Sequence, residues 1–411
     1  MARESGAGGT AAYRPVAKAA EKLFGRRPVE SPLLSAPTRS GLRLAADKVL
    51  FGALPPLTLA LLLVARFAAG KHFGFDYKPL WQASHHVFHG ESPYPPPHAS
   101  ALRDEQQFVY PPIAAVMAAP LAVFPFIVAA ILFAAIELVG TVLTLRVLGV
   151  RDWRCYGLAL LWLPVIENIL IGSISSLLAL GLAVAWRHRD SRWTAPLVVA
   201  AVISAKVFLW PVLLWLVATR RGMAGMRALV IAVVGVLGSW AVIGFAGLGS
   251  YPRLLDVLSR LEQWKSYSAV AFGLVLGLSA GEARALALVA CFVVLAGVVL
   301  SVRLRKENPD ADRHAFILAI AAAFLFSPII WMHYLAILVV PIALTRRTLT
   351  ALWFVPLAMW ATPGQSHGHT WQVILGLLVW VGVLAASLRP TWPLPALRRR
   401  RAPVAAPVPT S

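Results

Sequence analysis

Asp76, Lys78, Glu167, Asn168, Lys206 and His333 are among the residues of this 411-residue chain whose types can move a proton or hold an anion while most of their neighbours are apolar. A carboxylate in such surroundings can take a proton from a hydroxyl, and a Lys or His beside it can hold the charge that develops on a leaving group. Asp76 opens the stretch Asp76-Tyr77-Lys78-Pro79-Leu80-Trp81, and the polar segment after it closes at Phe108-Val109-Tyr110-Pro111-Pro112. Standing three residues before Pro79, Asp76 is equally placed to cap a helix. His333 could satisfy a carbonyl at a broken helix end, Lys206 could snorkel to an interface, and Glu167 with Asn168 could be a helix-end pair.

The elements that must position these groups are set by composition. Apolar residues make up 59% of the chain and charged residues only 14%, which describes a polytopic, all-α integral membrane protein. The net charge of +20 would suit nucleic acid if it were spread over a soluble surface, but 28 of the 38 Lys and Arg fall in two tails and five short clusters. That spacing is a topology signal, and no nucleic-acid partner is expected. Cys155 and Cys291 lie in or beside apolar runs without partner spacing, so neither a disulfide nor a zinc site is expected.

Residues 1–45 predict a disordered basic cytoplasmic tail, 46–390 a polytopic domain with an outer loop at 70–125, and 391–411 a basic, Pro-rich cytoplasmic tail. The first apolar run lacks a small-residue cleavage site and reads as a signal anchor. Placing the clusters Arg146 to Arg154, Arg187 to Arg192, Arg220 to Arg227, Arg303 to Arg313 and Arg346-Arg347 in the cytoplasm forces the spans between them into pairs. Twelve candidates result: 49–66, 126–146, 155–170, 173–186, 194–205, 207–218, 228–245, 283–302, 314–330, 333–344, 349–362 and 371–388. Segments 194–205 and 207–218 are short for a crossing and predict half-helices or a re-entrant hairpin with Lys206 near the outer face or in a cavity.

Two segments of the outer loop predict interfacial helices. In one, Leu80, Trp81, Ser84, Val87 and Phe88 share a face; the other runs from Ile113 to Ala119 between Pro112 and Pro120. Pro111 and Pro112 set the chain's path into the second, which leaves Tyr110 free to face a ligand. His85, His86 and His89 lack a completing carboxylate, so no metal ligand and no obligatory metal or other cofactor is expected. With both termini inside, Asp76, Lys78, Glu167, Asn168, Lys206 and His333 all fall on the outer side, where their convergence would build a site.

The chain resembles family 87 glycosyltransferases of the GT-C superclass, bacterial enzymes that use polyprenyl-phosphate sugars. The resemblance rests on the Asp after the first span, Gly90-Glu91-Ser92-Pro93-Tyr94, Phe108 to Pro112, Pro120-Leu121, Phe124-Pro125, Lys206 and Ser327-Pro328-Ile329-Ile330-Trp331-Met332-His333-Tyr334. Where the family tends to carry Gly-Gln-x-Asn, this chain has Gly172-Ser173-Ile174-Ser175, replacing two amides by hydroxyls. The resemblance implies a GT-C-like bundle in the cytoplasmic membrane with its site on the outer face. It implies sugar transfer, mannose before arabinofuranose, from a polyprenyl-phosphate donor to an envelope glycolipid or glycan, with no nucleotide loop required. Asp76 would be the base and His333 and Lys206 the groups that hold the leaving phosphate, with Lys78, Tyr110, Glu167 and Asn168 at the substrates. A transporter or lipid flippase is the alternative from another class, although residues 76–112 have no counterpart in the second half. A scaffold protein of the envelope would account for the basic tails but not for the outer Asp, Lys and His.

Overall fold

The computed structural model describes residues 41–68, 73–95, 107–303, 310–362 and 369–389. Both expected tails, apart from residues 41–45, and parts of the outer loop lie outside them. The chain divides into two units, 1–46 and 47–411. Of the first only 41–46 are described, and they are helical; the elements that follow belong to the second.

Among the described residues every regular element is helical. Helix α1 (Leu54–Ala68) is followed by α2 (Tyr77–Phe88), α3 (Pro112–Ala122) and α4 (Phe126–Val147). Next come α5 (Trp153–Leu160), α6 (Leu163–Ile171), α7 (Ser175–Arg187), α8 (Thr194–Ala205), α9 (Pro211–Ala218) and α10 (Gly222–Val242). The chain continues through α11 (Tyr251–Glu262), α12 (Ala269–Val275), α13 (Ala280–Arg303) and α14 (Ala311–Phe326). A 3₁₀ run Met332–Leu338 leads into α15 (Val339–Thr345), and a second, Ala351–Ala361, precedes α16 (Thr370–Ser387).

Twelve full crossings do not emerge. Five described helices are long and apolar enough to cross, Arg43–Ala68, α4, α10, α13 and α16, with a sixth if α5 and α6, bent by 62°, form one broken span. The remaining expected spans are present as shorter apolar helices, and their placement explains how they are tolerated. Leu57, Leu61 and Val64 of α1 and Phe292 and Val293 of α13 are exposed, as lipid-facing side chains are, whereas α14 and the 332–345 run are buried on nearly every side. Buried helices need not match the bilayer, because protein and cavity rather than lipid meet their ends.

The basic clusters do gather at one end. Arg189 and Arg221 both pair with Asp312 at 2.9 and 3.0 Å, and Arg221 also reaches Asp190. Arg227 donates to the Arg192 carbonyl, the Arg151 N–H donates to the Arg347 carbonyl, and Arg313 donates to that of Arg389. From this end three hairpins rise: α5–α6 with α7, α8 with α9, and α14 with the 332–345 run. At about 1.5 Å per residue, the 12 residues of α8 climb only about 18 Å before the chain breaks at Lys206. The hairpin tips therefore stop short of the opposite face and leave a recess.

Over the recess lie α2 and α3, the two helices expected at the membrane surface. In α2 the buried residues are Tyr77, Pro79, Leu80, Ala83, Ser84 and Val87, and the Ser84 hydroxyl donates to the Ala115 carbonyl of α3 at 2.8 Å. Phe88, expected on the packed face, is instead 69% exposed, one position beyond the stripe that Leu80, Ser84 and Val87 define. Helix α3 is longer than the expected seven residues because it carries Pro120 inside it. The amphipathic α11 was not anticipated, although Leu254, Leu258 and Leu261 recur at helical spacing opposite Arg253, Asp256 and Arg260.

Candidate functional site

The helix-capping role open to Asp76 is not taken up: it stands at the N-cap of α2, yet its side chain makes no capping hydrogen bond. The backbone there is held by α6 instead. The Asp76 N–H donates to the Ile171 carbonyl at 2.8 Å and the Gly74 N–H to that of Leu170 at 3.0 Å, satisfying carbonyls that a helix end leaves open. Gly172 makes this docking possible, since it ends α6 with φ +70° and a Cβ there would lie 2.6 Å from that of Tyr77. Tyr77 in turn stacks on Phe133, with ring centroids 4.5 Å apart.

The Asp76 carboxylate looks into a cavity of about 200 Å³ lined also by Tyr110, Glu167, Lys206, Glu262, His333 and Tyr334. Its side chain retains 26% of its surface, and His333 Nε2 approaches Oδ2 to 3.5 Å. Burial raises the Asp76 carboxyl to about 6 against the opposing pull of the Lys206 charge. Lys206 is 9% exposed; its ammonium donates to the Tyr334 hydroxyl at 2.5 Å and sits 4.4 Å above the rings of both Tyr110 and Tyr334. Glu167 receives both of its contacts, at 2.9 and 3.0 Å, from Arg66 at the end of α1.

Each wall has a sequence-level cause. Pro111 and Pro112 start α3 at its N-cap and first position, as expected, and the Tyr110 carbonyl before them accepts a bond from Tyr94 at 2.6 Å. Thus the Gly90-to-Tyr94 element braces the tyrosine beneath Lys206. On the far side, the Tyr267 N–H donates to Ile330 and the Ser268 hydroxyl to Pro328, fixing the unwound chain that delivers His333.

Two expected site residues stand elsewhere. Lys78 is half-buried but absent from the cavity wall. Asn168 is fully buried, donating to Glu137 at 2.6 Å and to Ser176 at 2.8 Å, while its own oxygen accepts from the Ser175 N–H. It therefore belongs to the packing between α4, α6 and α7. Ser173 and Ser175 are also fully buried away from the cavity. His86 pairs with Glu91, and His89 Nδ1 donates to the His85 carbonyl.

Three wall or support residues escaped the sequence reading. Glu262 comes from the unanticipated α11, which its leucine spacing could have revealed, whereas Gln107 borders the noted Phe108 element. Arg66 was visible only as the end of an apolar run.

Beside the cavity, sharing Tyr110, Lys206, Leu258, Trp331 and Tyr334 with it, runs a groove of about 820 Å³. Phe208, Leu255, Phe326 and Ile329 supply apolar walls; Arg284 adds its charge to that of Lys206, while Arg260 is paired with Asp256 at 3.0 Å. Apolar length beside a cationic end suits a lipid phosphate.

Comparison of the sequence with known families decides the class: the model of glycosyltransferase family 87 matches residues 108–328. The chain belongs to glycosyltransferase family 87. It is accordingly a membrane glycosyltransferase. The matched segment contains Tyr110, Glu167, Asn168 and Lys206, whereas Asp76, Lys78 and His333 lie outside it. No curated protein and no solved structure gives a significant match to the chain.

Proposed function

We propose that this glycosyltransferase moves a sugar, mannose in the first instance, from a polyprenyl-phosphate donor to a hydroxyl of an envelope glycolipid or glycan on the outer face of the cytoplasmic membrane. The observation that carries the proposal is the meeting of Asp76, Lys206 and His333, delivered by three separate parts of the chain, in one cavity beside an apolar groove.

Asp76 accepts the proton of the acceptor hydroxyl as its oxygen bonds to the anomeric carbon. The bond from that carbon to the phosphate oxygen breaks on the opposite side, its electron pair leaves with polyprenyl phosphate, and the configuration inverts. A carboxyl held near 6 is ionised at neutral pH and is a stronger base than an ordinary aspartate. Lys206, kept in place by Tyr110 and Tyr334, stabilises the leaving phosphate at the join between cavity and groove, and His333 orients the Asp76 carboxylate from 3.5 Å. Glu167, with Arg66, lines the acceptor side.

Purified protein given polyprenyl-phosphate mannose or polyprenyl-phosphate arabinose, with mixed envelope glycolipids as acceptors, tests this directly. Transfer from the mannose donor, lost in well-folded Asp76→Asn, is the expected result. Transfer from arabinose alone would replace the sugar, and undiminished transfer by Asp76→Asn would remove the base.

A further inference from the structure

The end of the bundle opposite the cavity holds a second recess of about 820 Å³, walled by Arg146, Arg187, Arg189, Arg313 and Arg347 with Asp310 and Asp312. Its remoteness follows from α4: Phe126 packs near Tyr77 beside Asp76, and the helix Phe126–Val147 carries the chain about 30 Å from there to Arg146. Four segments far apart in sequence, around 146, 187, 312 and 346, converge on it.

Arginines at such an end are expected as topology signals and ordinarily face water. Two observations set this group apart. It surrounds a concavity, and its charge is not balanced from within. Asp312 is already engaged by Arg189 and Arg221, and Asp310 lies 3.1 Å from Arg313. Among the described residues no carboxylate pairs with Arg146, Arg187 or Arg347, which stand exposed around the recess. One wall is the indole of Trp186, held against Arg189 at 4.5 Å and braced by Trp215 and Phe316, so the recess has a rigid apolar side as well as a cationic one.

We propose that this recess binds a phosphate-bearing anion at the level of the lipid headgroups, on the membrane face opposite the sugar-transfer site. Guanidinium groups suit phosphate oxygens because their paired N–H donors match them two at a time. Basic pockets between membrane helices hold anionic headgroups by this chemistry, and a soluble phosphate ester would use the same contacts.

The test uses the full chain in neutral detergent, with short-chain phosphatidylglycerol as the probe and phosphatidylcholine of equal chain length as the neutral control. Each arginine near an anionic headgroup contributes about fivefold, so Arg187→Gln/Arg347→Gln is expected to bind phosphatidylglycerol about thirtyfold more weakly. Arg192→Gln/Arg303→Gln, which removes equal charge from exposed positions outside the recess, is expected to bind as the parent does. Equal loss in both double variants, or none in the first, overturns the site. If the first variant elutes or melts abnormally, Arg347→Glu alone carries the same expectation. Inorganic phosphate separates the sources: protection by phosphate alone, dependent on Arg187 and Arg347, assigns a soluble ligand, and protection by the lipid alone assigns a headgroup.

Discussion

At the cavity end of the bundle, Asp76, Lys206 and His333 are few, enclosed and mutually close, while at the other end the charged groups are many, mostly arginine, and largely open. Enclosure makes the difference. A charge that has lost its water responds strongly to its neighbours, so burial lifts the Asp76 carboxyl to about 6, whereas exposed arginines interact through solvent and are screened by salt. A small number of dehydrated groups can do acid–base chemistry; a larger number of hydrated ones can fix topology and attract anions.

The sharpest way to break this contrast is to neutralise the cavity. Asp76→Asn should lower initial transfer rates by about 10² to 10⁴, the range a positioned base contributes, with elution and thermal midpoint unchanged. Lys206→Met should cost about 10² to 10³ in kcat, measured under saturating donor, because its role is strongest when the leaving phosphate carries full charge. The pH profile refines the comparison further. Only ionised Asp76 accepts a proton, so the rate should fall about tenfold per unit below its value of about 6 and level off above it. A flat profile from pH 5 to 8 would reject Asp76 as the base.

Asn168→Ala asks whether buried polarity alone defines the site. It strips partners from Glu137 and Ser176 and should destabilise the protein by about 1–3 kcal/mol on denaturation in detergent, while the donor KM stays unchanged. A raised KM with intact stability would return Asn168 to the substrate. The smallest effect belongs to the opposite end: Arg187→Gln/Arg347→Gln should leave turnover in neutral detergent within about twofold, as expected of exposed charges remote from the chemistry.

Glu167 and Asn168 show where reading a sequence reaches its limit. They are adjacent and both polar, yet one lines the cavity, paired with Arg66 behind it, and the other is buried between α4 and α7, because successive helix positions point about 100° apart and nothing local says which direction faces the void. Lys206 and His333 were legible because each interrupts an apolar run, and ionisable groups are expensive there. The count of crossings was less legible, since apolar content does not distinguish a short helix buried in protein from a full span bathed in lipid.

Composition, basic clusters and chain-breaking prolines by themselves determined a helical membrane protein, the common end of its arginine loops, and the start of α3 after Pro111. These properties depend on solvent transfer and local backbone geometry, which act residue by residue. Tertiary structure alone decided that Asp76 would lack a capping bond, that Lys206 would lie between Tyr110 and Tyr334, and that α11 would bring Glu262 to the same wall. Those outcomes depend on how far each hairpin rises and what packs above it, and such distances are fixed by contacts between segments that are remote in the chain.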